Sequence, residues 1–246
     1  MKPTSIRLRS GTLDTIRGLT LVSMIVYHAC WDLVYLYRLD WGWYRSFWAG
    51  IWQQSICCTF ILLSGYCWQM GRHPLRRGLM SFFGGAAVSL ATLLVLPETP
   101  VQFGVLTIPL RPLLSRIPPR PGLALSFALF LVLRDVNKGF LGLAGVPLLY
   151  LPRNWYANTL SAGLGFPAPS FVSSDYFPLL PWLFLFWAGF YLYRLRPETP
   201  AVPDIRLPGI GAIGRHSLIV YLLHQPVIYG LLALIFSLQE VHLCLS

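Results

Sequence analysis

The chain has 246 residues, of which 55% are hydrophobic and 11% charged, and its mean hydropathy is +0.59. That balance excludes a disordered chain and argues against a soluble globule. The formal net charge of +10 would point to nucleic acid on a polar protein. Here the 19 Lys and Arg sit in short clusters between long apolar runs, the pattern of membrane topology, and no nucleic-acid partner is expected. The five cysteines are Cys30, Cys57, Cys58, Cys67 and Cys244. Four lie in apolar stretches, the number is odd and no CxxC spacing occurs, so neither a disulfide framework nor a metal site is expected.

Crossing the hydrocarbon core takes about 20 helical residues. The first apolar run, Leu13–Tyr37, follows Lys2, Arg7 and Arg9. It is long, contains His28 and Asp32, and lacks a small-residue cleavage site, so it reads as a permanent span and not as a cleaved signal peptide. Further clear spans are Phe47–Met70, Gly78–Leu96, Pro178–Tyr193 and Ile213–Phe236. Val101–Ile117 is weaker because it holds Pro109, Arg111 and Pro112, and Leu123–Leu133 is weaker because it is short. Neighbouring helices can cover the backbone groups that proline frees, so both stay in the count. Gly139–Leu151 is apolar but too short to cross, and is expected to lie in the outer interface. The connection from Lys138 to Phe177, rich in Pro, Gly, Ser, Asn and aromatics, has the length of a lid or binding loop.

Loop charge tests this count. Seven spans with the N-terminus inside leave Lys2, Arg7, Arg9, Arg17, Arg72, Arg76, Arg77, Arg111, Arg116, Arg120, Arg194, Arg196, Arg206 and Arg215 on the cytoplasmic side. Arg38, Arg45, Arg134, Lys138 and Arg153 fall outside. The ratio of 14 to 5 is a positive-inside bias, and dropping one weak span would put Arg194, Arg196 and Arg206 outside. The expected fold is therefore all-α: a polytopic transmembrane helix bundle of seven spans, forming one membrane-embedded domain over 1–246.

Ionisable groups inside spans are costly and point to function. The first span carries Asp14, Arg17, His28 and Asp32. Near the cytoplasmic start, Asp14 can complement the helix N-terminus and Arg17 can reach lipid phosphate. Arg17 and His28, eleven positions apart, differ by only about 20° around a helix and are separated by roughly 16 Å along it. Asp32 is one turn further out on nearly the same face. The stripe should face the bundle interior or a cavity. An imidazole there suits general-base work, with Asp32 to orient it and stabilise its protonated form. The structural alternative is a histidine hydrogen-bonded for helix packing. Aromatics at span ends, including Trp41, Trp43, Trp155 and Trp182, fit an interfacial belt. No glycine-rich phosphate loop, GxSxG elbow or HExxH helix occurs, so nucleotide hydrolysis, serine-hydrolase and zinc-protease chemistry have no support.

Leu13-Asp14-Thr15-Ile16-Arg17-Gly18-Leu19, followed by Met24 and His28, resembles the opening of the heparan-alpha-glucosaminide N-acetyltransferase catalytic family, most closely its small bacterial members. The spacing of Arg17 and His28 is also similar to the first-helix motif of O-antigen acetylase-type membrane acyltransferases. Further similar segments are Phe60-Ile61-Leu62-Leu63-Ser64-Gly65, then Ser174-Asp175-Tyr176-Phe177-Pro178-Leu179-Leu180-Pro181-Trp182. The last are Gly214-Arg215-His216-Ser217-Leu218 and Tyr221-Leu222-Leu223-His224-Gln225-Pro226. The resemblance covers nearly the whole chain, and its specificity lies in the order and number of these short motifs. One position departs: where family members commonly have His after Phe-Gly-x-Leu, Thr107 follows Phe103-Gly104-Val105-Leu106.

The resemblance implies transfer of an acyl group, acetyl first, from cytoplasmic acyl-CoA to a hydroxyl or amine of a glycan or lipid-linked sugar at the outer face. No permanently bound cofactor is expected; acetyl-CoA or another acyl-CoA is the co-substrate. Guanidinium groups suit the phosphates of coenzyme A, so Arg17, Asp14 beside it, and Arg72 are assigned to the donor. His28 and Asp32 are the catalytic pair, with His28 deprotonating the acceptor or, as the alternative, accepting the acyl group itself. Asp175 and His224 are assigned to the acceptor, although Asp175 could equally cap the helix before Pro178 and His224 could serve packing. The lipid bilayer of a bacterial cytoplasmic membrane is the expected setting, and a homodimer is compatible with it. The rival reading is a multi-span transporter or flippase in which His28 relays protons. Inverted repeats, its usual signature, are not seen.

Overall fold

The computed structural model describes residues 10–70, 79, 83, 111–158, 160–171, 176, 178–196 and 204–245. The described residues are mostly helical. In chain order they form α1 (Gly11–Tyr35), α2 (Phe47–Trp68), α3 (Arg111–Arg116) and α4 (Pro119–Val132), then strands β1 (Phe140–Leu143) and β2 (Val146–Tyr150). After these come α5 (Leu179–Leu195), α6 (Pro208–Arg215) and α7 (Ser217–Leu245). The chain divides into two compact units, one of Met1–Phe60 with Pro200–Ser246 and one of Ile61–Thr199.

In the first unit, α1 starts where Ser10 Oγ accepts the Leu13 amide at 3.4 Å, with Asp14 in the first turn against the positive helix end. Its buried side carries Asp14, Gly18, Leu21, Met24 and Asp32, with Arg17 and His28 half-buried on the same side. Ile16, Leu19, Val22 and Val26 lie exposed on the other, as on a lipid-facing surface. Leu21, Met24 and Ile56 form a core joined by Trp52, Phe60, Ile213, Val220 and Tyr221. A second cluster, Val34, Tyr44 and Ala49, packs with Tyr27, Trp31 and Trp41; Tyr44 Oη donates to Tyr27 O at 3.0 Å.

The start of α1 is clasped by 204–207 and α6. The Thr12 amide donates to Asp204 Oδ1 at 2.9 Å, the Ile205 amide to Thr12 Oγ1 at 2.8 Å, and Thr15 Oγ1 to Ile205 O at 3.2 Å. Above this clasp the backbones touch. A methyl group on Gly18 would collide with the Ile210 carbonyl oxygen, and one on Gly214 with the Asp14 carbonyl oxygen. The Thr12 amide and the Arg206 guanidinium hold the Asp204 carboxyl below its ordinary range. A depressed carboxylate adds stability above its unfolded pKa and loses it as pH falls through the folded value. Thermal unfolding in detergent should therefore lose this contribution only below about pH 4. Asp204→Ala should lower the melting temperature at neutral pH and flatten that acid limb; an unchanged acid limb would exclude Asp204 as its source.

In the second unit, α4 packs along α5, and Leu114, Phe190 and Tyr191 make its core. Tyr191 Oη donates to Leu114 O at 3.1 Å and Arg194 Nη1 to Ile117 O at 2.9 Å, so α5 satisfies the carbonyls that end α3. Glycines again permit close contact: Gly65 faces the Phe186 carbonyl and Gly189 that of Leu62. β1 and β2 form an antiparallel hairpin with Leu143 opposite Val146. Its two-residue turn has positive φ at both Ala144 (50°) and Gly145 (84°), the hand that matches strand twist.

Three helices among the described residues are long and apolar enough to cross a membrane: Gly11–Tyr35, Phe47–Trp68 and Ser217–Leu238 within α7. Leu179–Leu195 is apolar but shorter. The expected short span Leu123–Leu133 falls, up to Val132, in the 14-residue α4, which reaches only about 21 Å. The expected span Ile213–Phe236 is two helices. The chain leaves helical geometry at His216 (φ −100°, ψ 26°), so Ile213 belongs to α6 and the long helix starts at Ser217. The expected interfacial segment Gly139–Leu151 contains the hairpin. Most of the expected spans Gly78–Leu96 and Val101–Ile117 lies outside the described residues.

Candidate active site

One group of polar residues in the first unit lies where α1 meets α7. From α1, His28 and Asp32 are one turn apart; from α7, His224 and Gln225 are adjacent. The rings of His28 and His224 are 5.0 Å apart between centroids, inclined by 58°. Tyr27 stands edge-on to His28 at 6.0 Å. His224 Nδ1 lies 2.6 Å from the Tyr221 carbonyl oxygen. A carbonyl only accepts, so Nδ1 carries the hydrogen and, in the neutral ring, Nε2 carries the lone pair.

Asp32 is fully buried at 0% exposure. Its Oδ1 accepts from Gln225 Nε2 at 2.9 Å, whereas Oδ2 is buried without a hydrogen-bond partner among the described residues. Gln225 Oε1 is likewise buried and unpartnered. A buried polar atom left unsatisfied costs about 1–3 kcal/mol, more if charged, so this pair stands out as a candidate site. Asp32 Oδ1 is committed to Gln225 and not to His28; no hydrogen bond joins Asp32 to His28.

At the other end of α1, Arg17 Nη1 pairs with Asp14 Oδ1 at 3.3 Å, the side chains being 19% and 7% exposed. This is an i,i+3 ion pair within one helix. The structure thus brings His28, Asp32 and His224 into one group and Asp14 and Arg17 into another, three turns of α1 apart. Arg72, Asp175 and Thr107 lie outside the described residues. Among the described residues no cluster of three or more His, Cys, Asp or Glu could hold a metal ion. Gln225 is the residue that sequence reasoning missed. Its signal was a carboxamide next to a histidine in an apolar helix, where either group needs a partner.

Three helices long and apolar enough to cross a membrane, with polar side chains buried where α1 meets α7, are the marks of an integral membrane protein. The family model described as "Heparan-alpha-glucosaminide N-acetyltransferase, catalytic" matches residues 9–226, and the chain belongs to that family, one of membrane acetyltransferases. His28, Asp32, His224 and Gln225 all fall within the matched stretch. No curated protein and no solved structure matches the chain.

Proposed function

We propose that the protein transfers an acyl group, acetyl first, from cytoplasmic acyl-CoA to a hydroxyl or amine of a glycan or lipid-linked sugar at the outer face of a bacterial cytoplasmic membrane. The whole of 1–246 acts as one seven-span catalytic domain with its N-terminus inside. The observation that carries this reading is the grouping of two imidazoles with a buried carboxylate on α1 and α7 of an acetyltransferase-family chain. His28 removes the proton as the acceptor oxygen or nitrogen attacks the thioester carbonyl. The carbon–sulfur bond breaks, the thiolate leaves as coenzyme A and takes up a proton, and the imidazolium returns its own to solvent. Asp32 offsets the charge that His28 acquires. Arg17, supported by Asp14, and Arg72 steer the donor's phosphates. His224 and Asp175 hold the acceptor.

The test is vectorial transfer. Proteoliposomes containing the protein and loaded with radiolabelled acetyl-CoA are exposed outside to glucosamine-terminated and glucose-terminated oligosaccharides. Label is expected on an external sugar, with coenzyme A released inside in equal amount. Efflux of label without a covalent product would replace this reading with the transporter.

A further inference from the structure

Resting on that reading, we propose that Gln225 is a positioning residue of the transfer reaction, its amide fixing the Asp32 carboxylate beside His28 from across the α1–α7 contact. The residues are 193 positions apart in sequence, and the bond between them is 2.9 Å. Asp32 has no exposure to solvent, and among the described residues the hydrogen bond to its carboxylate comes from Gln225. The amide must turn its NH₂ to the carboxylate, because the reverse orientation would oppose two acceptor oxygens. That choice leaves Gln225 Oε1 buried and unsatisfied, as is Asp32 Oδ2. A bond made only to join two helices would be better served by a pair with no atoms left over. One that immobilises a carboxylate and keeps an oxygen open suits a group that must meet positive charge when it appears. In the reaction that charge appears on His28, one turn before Asp32 on α1, as its ring takes the acceptor's proton. Asp32 keeps its electrons and forms no covalent bond.

Removal and reversal separate positioning from packing. Gln225→Leu removes the described donor to the Asp32 carboxylate and should lower kcat about a hundredfold, the scale of a misplaced reacting group, with the KM for acetyl-CoA little changed. In the double variant Asp32→Asn with Gln225→Glu, the cross-helix hydrogen bond is kept with its polarity reversed, and the carboxylate moves from α1 to α7. Its melting temperature should return towards wild type while kcat stays low. Recovery of both would overturn the proposal, because the bond would then serve packing alone. So would a Gln225→Leu variant with wild-type kcat, or one whose loss lies wholly in KM. A reversed pair that stays unstable as well as inactive would also count against it, since the geometry requires an isosteric exchange. Wild-type protein that makes no acylated sugar would overturn the parent reading together with this one; active wild type with an unaffected Gln225→Leu overturns this one alone.

Discussion

His28→Ala should reduce acyl transfer by about 10²- to 10⁴-fold, the usual contribution of a general base, while the protein still folds into membranes. The fold should survive because His28 makes no hydrogen bond to the described residues; its ring contacts are with Tyr27 and His224. Truncating it removes a half-buried ring and leaves in place both the Gln225–Asp32 bond and the Leu21–Met24–Ile56 core. The measurement pairs initial rates with radiolabelled acetyl-CoA and a melting curve in detergent. A rate close to wild type would end the assignment of His28 as the base. A low rate with a collapsed melting curve would return His28 to a packing role. His224→Ala should cost less, because its Nδ1–H is tied to the Tyr221 carbonyl within its own helix and its ring approaches the chemistry only beside His28.

The residues of this centre were unequally legible in the sequence. His28 and Asp32 stand out because ionisable groups in an apolar run are expensive, and helical spacing alone puts them on one face. The Asp14–Arg17 ion pair differs from the expectation, which set Asp14 against the helix end and Arg17 on lipid phosphate, although the i,i+3 spacing permits it. Gln225 does not stand out, for a carboxamide is only mildly unusual in a span and its partner lies on α1, far away in sequence. The break at His216 escapes a hydropathy window because Ile213 and Leu218 make the apolar run look continuous. Arg215-His216-Ser217 was the local clue. The hairpin is hidden for another reason. Strands show themselves by alternation, and β2 is exposed and apolar along its whole length, so no period of two marks it. Only the turn at Ala144-Gly145 punctuates the run.

Gly18→Ala and Gly214→Ala should each destabilise the protein at the upper end of the about 1–3 kcal/mol typical of overpacking, with bulkier residues preventing assembly. The reason lies in what the added methyl meets. At Gly18 it meets the Ile210 carbonyl and at Gly214 the Asp14 carbonyl, and backbone cannot rotate aside as a long side chain can. The two contacts are reciprocal, so relief at either requires α6 to move away from α1. That movement would also strain the clasp of Thr12 and Thr15 on Asp204, Ile205 and Leu207. α7 starts two residues after α6 ends, so the register that carries His224 and Gln225 to His28 and Asp32 is set by this docking. Gly50 and Gly230 are controls, because an added methyl at either meets nothing within 4 Å. Alanine at these helical positions should be neutral or stabilising, by up to about 1 kcal/mol. Melting curves of the four variants in one detergent make the comparison. If Gly18→Ala melts with the controls, α1 and α6 are not in backbone contact, and the polar centre must be positioned through α7 alone.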